Sequence, residues 1–199
     1  MVQAFESPLD GVGAGSYRNA DKDRFITQEE YHKLLEACPC QEWRVIITLA
    51  RIGGLHPCEI KSFRWEDIDE ANNRFKALNA KLKNHKRLYE RQVPLFPEIV
   101  EELGKLQPKE AEGFVINWRH TGWNEYVCRI VKRAGLGKIP RPFDNMRASR
   151  ATEIDRKYGS KAESLWIGHS EKIAMQHYLM VTDEDYAKAA GKSQNLEGI

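Results

Sequence analysis

A chain of 199 residues is long enough for one well-buried domain, with room for only short appended segments. Its 41% apolar and 30% charged residues fit a soluble globular protein, and no apolar run approaches the ~20 residues needed to span a membrane. A net charge of +2 argues against a surface wholly devoted to nucleic acid, and four cysteines without a C-x-x-C pair argue against a structural zinc site.

In chain order, residues 1–24 carry Gly11, Gly13 and Gly15 and read as a flexible arm or linker. They lack a basic start followed by an apolar core, so no secretory leader is expected and the protein is placed in the cytoplasm. One domain is expected over 25–190, followed by a flexible tail at 191–199. Thr27-Gln28-Glu29-Glu30 is a capping box, and Tyr31, Leu34, Leu35 and Cys38 follow at helical spacing until Pro39. A second helix is expected over 41–52, with Trp43, Ile46, Ile47 and Leu49, closed by Gly53-Gly54. Pro57 favours a short helix over 57–63 that begins beside His56. Strands are expected at 65–69, 74–78 and 91–95, and Pro94 points to a sheet edge or a strand end. Helices follow at 97–106, 124–134, 145–158 and 161–167, with a brief apolar run at 113–117. Beyond them a helix from about 171 carries Tyr178, and a last short one is capped at 182–185. The fold class is α+β, mainly α: a helical domain with one small three-stranded antiparallel sheet.

Charge is unevenly spread. Between 74 and 91 every charged residue except Glu90 is basic, and basic residues outnumber acids again over 132–157. If the two segments share a face it can bind phosphates; otherwise they are solvated loops. Tyr178 stands nine positions after His169. Gly168 suits a left-handed helix end and Ser170 an N-cap, so His169 falls in a tight turn and Tyr178 about two turns into the next helix. The two side chains can then share one phosphate, or Tyr178 is an amphipathic core residue and His169 a surface one.

These segments together resemble the catalytic domain of tyrosine recombinases, the phage integrase family. Gly54-Leu55-His56-Pro57-Cys58-Glu59 is similar to the G-L-R-x-x-E box, and Lys81 stands at the hairpin lysine before Arg91-Gln92-Val93-Pro94-Leu95. Asp144-Asn145-Met146-Arg147 aligns with H-x-x-R, and Gly168-His169-Ser170 with Tyr178 matches G-H-S…Y. The resemblance covers about 24–190. It implies that Tyr178 attacks DNA to give a 3′-phosphotyrosine while Arg147 and His169 hold the phosphate oxygens. It also implies that Lys81 protonates the leaving 5′ oxygen, with Lys83 and Lys86 as close rivals, and that His56 and Asp144 fill the remaining catalytic positions. Lys83, Lys86, Arg87, Arg141 and Arg150 are then expected against double-stranded DNA. No cofactor is implied, since the covalent intermediate preserves the bond energy. The implied partners are DNA and further protomers in a synaptic tetramer, with a monomer when free, associated with the nucleoid. The N-terminal helical domain of full-length integrases has no counterpart before Arg24, which suggests a catalytic fragment or a truncated gene.

The sequence departs from the pattern twice, at His56, where the family has its first arginine, and at Asp144, where it has histidine. An imidazole cannot reproduce a bidentate guanidinium, and losing one such contact commonly costs about 2–4 kcal/mol, or ~10²- to 10³-fold in rate. Arg51 and Arg150 are the candidates to compensate. Two further readings follow: a degenerate recombinase fold that binds DNA with weak or no cleavage, and a type IB topoisomerase using similar chemistry on one strand.

Overall fold

In the computed structural model of the chain, the described residues are 24–78, 90–106, 112–117 and 122–168. Lys81, Lys83, Lys86, Arg87, His169 and Tyr178 lie outside them, as do the helices expected beyond Gly168.

Helix α1 (Gln28–Glu36) starts where its capping box says it should. Thr27 Oγ1 accepts the Glu30 N–H at 3.1 Å, and the Glu30 carboxylate accepts the Thr27 N–H at 3.1 Å. Helix α2 (Gln41–Arg51) is buried on most of its circumference, from Trp43 through Ala50, and forms the axis of the core. Against it pack α1, α4 (Pro97–Lys105) and α6 (Pro142–Tyr158). Arg44 forks onto Glu102 at 2.8 and 2.7 Å, tying α2 to α4. Helix α3 (Pro57–Ser62) follows the Gly53-Gly54 turn, α5 (Trp123–Arg133) packs against α6, and α7 (Ser160–Ile167) packs against both α6 and the sheet.

The sheet runs β1 (Ile68–Asp69), β2 (Arg74–Leu78), β3 (Glu90–Pro94), antiparallel and in that order. The strand expected over 65–69 is shorter than its composition suggests. Trp65–Asp67 is a 3-10 turn, because Asp67 Oδ2 accepts the Arg64 N–H at 3.0 Å and offers the backbone a local alternative to pairing. The run 113–117 contributes one isolated bridge, Arg64 to Phe114. β3 lies at the sheet edge with Pro94 at its end, as a missing N–H requires. The register pairs Phe75 with Val93 and Ala77 with Arg91. Strand alternation therefore puts the Arg91 side chain on the same face as buried Phe75, Ala77 and Val93.

A second buried polar joint closes the core between α2 and α6. Arg51, with no exposed surface, donates to the Ile26 carbonyl and to both Glu153 oxygens, at 2.9 and 2.5 Å. Arg150 donates to the same carboxylate at 3.1 Å and lies 4.1 Å over the Phe96 ring. Burial is the largest influence on Glu153 and acts upward, yet the two arginines hold its carboxyl below the usual range. Among the described residues no helix is long and apolar enough to cross a membrane. Replacing Arg51 with Met strips most of the counter-charge from Glu153 and orphans the Ile26 carbonyl. Unfolding free energy should fall by about 3 kcal/mol in urea titration; a loss under about 1 kcal/mol would show that the joint is dispensable.

Candidate active site

Described residues of separate motif segments meet at one buried carboxylate. Glu59, in the first turn of α3, is 3% exposed and accepts the His56 N–H at 2.7 Å. Its Oε2 also lies 3.0 Å from Arg91 Nη2 and 3.4 Å from Arg147 Nη1. Both guanidiniums reach two backbone carbonyls as well. Arg147 donates to Gly54 O and, at 2.6 Å, to Ile167 O; Arg91 donates to Ile167 O at 2.9 Å and to Gly54 O at 3.3 Å. Arg147 therefore pairs with Glu59 across the fold, not with Glu153 or Asp155 on its own helix.

Two glycines make this approach possible. At Gly54, φ is +64° and an added Cβ would fall 2.3 Å from Ile167 Cδ1. At Gly168, φ is +81°, the left-handed helix end expected from sequence, and a Cβ would fall 2.9 Å from Arg91 Cδ. The turn before His56 and the turn before His169 are thus pressed onto the same pair of arginines. Burial, aided by Arg147, holds the Arg91 guanidinium down at about 10 against the pull of Glu59, so it stays charged near neutral pH. Among the described residues, none pairs with Arg91 Nη1, which is buried. Sequence motifs give Arg91 no role, although its alternation with Val93 marks it as inward-facing.

His56 is the N-cap of α3. Its Nδ1 accepts the Cys58 N–H at 3.3 Å and lies 3.1 Å from Cys58 Sγ, while Glu59 completes a capping box. With Nδ1 engaged at the cap, the ring has one other nitrogen, Nε2, where a guanidinium would offer a fork of five N–H donors.

His56 lines a cleft of about 450 Å³ together with Asp144, Arg141, Lys61, Trp123 and Glu125. Asp144 is paired with Arg141, Nε to Oδ2 at 2.9 Å, and not with Arg147. Arg141 has φ +43°, a left-handed conformation that is rare for a side-chain-bearing residue and rarer before a proline, costing about 1–3 kcal/mol. Lys61 holds its ammonium 4.7 Å from the centre of the Trp123 ring. Neither Lys61 nor Trp123 belongs to a motif; the fold brings the start of α5 to the end of α3 at this cleft. Arg150, expected at the DNA surface, is turned instead onto Phe96 and Glu153, and Arg51 is committed to the same carboxylate. Neither lines the cleft beside His56.

No protein-family model matches the sequence, and no curated protein matches it. Solved structures do. XerA recombinase superposes with a TM-score of 0.66 at 19% identity, over 85% of this chain and 64% of that one. The Tn1549 transposon integrase in complex with transposon right end DNA gives 0.63 at 14% identity, over 94% and 70%. Lambda integrase bound to DNA gives 0.56 at 19% identity, over 87% and 64%. The chain thus spans less than two thirds of the XerA and lambda integrase chains it resembles. Its helices and its three-stranded antiparallel sheet match the tyrosine recombinase catalytic-domain fold.

Proposed function

We propose that the chain is a DNA strand-cleaving and rejoining domain of the site-specific recombinase type, acting through Tyr178. The observation that carries this reading is the placement of Arg147 against both the Gly54 turn and Ile167, two residues before His169. A guanidinium held there is pre-oriented to stabilise charge as it develops on a phosphate, without reorganisation at the moment of reaction. Tyr178 Oη attacks phosphorus as the bond to the 5′ oxygen breaks; the phenol gives up its proton to water, and the departing oxygen takes one from Lys81, Lys83 or Lys86. The resulting 3′-phosphotyrosine is resolved when a 5′ hydroxyl attacks it, so strands rejoin without an external energy source. His169 and Arg147 hold the non-bridging oxygens, and His56 contributes its Nε2 from the α3 N-terminus. Asp144, neutralised by Arg141, can lie near phosphate without repelling it.

Lys83, Lys86, Arg87 and Arg141 are the proposed contacts to double-stranded DNA; Arg150 is left out because it is turned inward. The Tn1549 and lambda integrases are seen on DNA, and lambda integrase as a tetramer on a Holliday junction. These support a duplex and further protomers as partners of this chain. The capping role of His56 favours one second reading, a DNA-binding domain whose cleavage has decayed.

A nicked duplex that traps the covalent intermediate separates the two readings. The wild type should form a protein–DNA adduct that disappears in Tyr178→Phe, and persistence of the adduct in that variant would refute the assignment of the nucleophile. Restoring the fork with His56→Arg should raise the rate of adduct formation ~10²- to 10³-fold. A strong wild-type rate unchanged by His56→Arg would rule out decay. DNA affinity should fall steeply with salt, because it rests on phosphate contacts, and a flat salt dependence would contradict those contacts.

A further inference from the structure

We infer that Arg91 is a positioning residue that occupies Glu59, so that this carboxylate does not close further on Arg147, the group read as holding a phosphate. The inference rests on the reading of Arg147 as a phosphate-holding group and adds a residue to that site. Two guanidiniums meet one carboxylate: Glu59 Oε2 is 3.0 Å from Arg91 and 3.4 Å from Arg147, so these three side chains carry one positive charge in excess. Arg91 has the shorter contact, is the more buried of the two arginines, and is held by Nε on Ile167 O and by Nη2 on Gly54 O. Removing it leaves a desolvated carboxylate with Arg147 as its nearest counter-ion, and Glu59 then moves onto Arg147 to recover the lost contact. Neutralisation of Arg147 follows. This matters more in a chain where His56 supplies no second fork. The Gly168 contact has the same consequence from the other side, because it fixes where the Arg91 stem can lie.

The test uses inorganic phosphate as a probe of the site and adduct formation on nicked duplex as a probe of the reaction. Phosphate should stabilise the wild type against heat relative to chloride at equal ionic strength, and this stabilisation should vanish in Arg147→Met, which assigns the site. Arg91→Met should weaken phosphate binding about 10- to 100-fold, the worth of one hydrogen bond to a charged group. The double variant Arg91→Met with Glu59→Gln should recover most of that loss, because the competing charge is gone; a purely structural role for Arg91 predicts no recovery. Absence of Arg147-dependent phosphate binding, or Arg91→Met binding as the wild type does, overturns the proposal. If Arg91→Met does not fold, Glu59→Gln alone decides. It keeps both guanidiniums and must tighten phosphate binding several-fold, about the effect of removing one competing contact, and unchanged affinity overturns the proposal. A wild type that binds phosphate in the expected order but forms no adduct refutes the cleavage reading and leaves the role of Arg91 standing.

Discussion

Glu59 is a carboxylate taken out of water, and such a group is tolerable only when cations and donors surround it. Here the cations come from β3 and α6, and the donors from the N-terminus of its own helix. The same two arginines also satisfy the carbonyl at the end of α7 and the carbonyl of the turn after α2, groups that have no partner within a helix. A charge cluster and two backbone ends thus solve one another's desolvation problem. Because these segments carry the family-like motifs, the joint that satisfies the buried charge also assembles the candidate site.

Much of the fold is legible in sequence where a local rule decides. Thr27 and Glu30 mark the start of α1, Pro57 the start of α3, Gly168 the end of α7, and Pro94 the end of an edge strand. Where two local rules compete, pattern reading errs. Apolar residues argue for a strand from Trp65, but the Asp67 carboxylate captures the backbone first; α6 starts at Pro142, three residues before the expected 145, because proline fits the first helical turn. The motif positions His56, Asp144 and Arg147 do converge on one region, the first two in a single cleft and the third beneath the turn that precedes His56. Long-range charge pairing is what periodicity cannot supply. Nothing in α2 or α6 alone says that Arg51 and Arg150 face one buried carboxylate, whereas the inward turn of Arg91 follows from its alternation with Val93.

The two departures from the motif pattern are neighbours in space. His56 and Asp144 line one cleft, and both departures act in the same direction, each leaving it less positive than the pattern would. Arg141 brings a cation to Asp144 from a strained backbone position, and strain of that kind persists only where surrounding contacts hold it. Lys61 adds a further cation, held against Trp123 in the same cleft. The cations of the cleft, Lys61 and Arg141, are thus matched by its two carboxylates, Glu125 and Asp144.

The Glu59 cluster also bears on how the chain acquires its shape. Its three charges come from segments far apart in sequence, and burying any one of them before the others would leave an ion in apolar surroundings with nothing to balance it. Desolvation of all three is therefore coupled, and the ends of α2 and α7 share in it through the Gly54 and Ile167 carbonyls. None of these segments can be withdrawn without stranding a charge or a carbonyl that belongs to another, which ties their stabilities together.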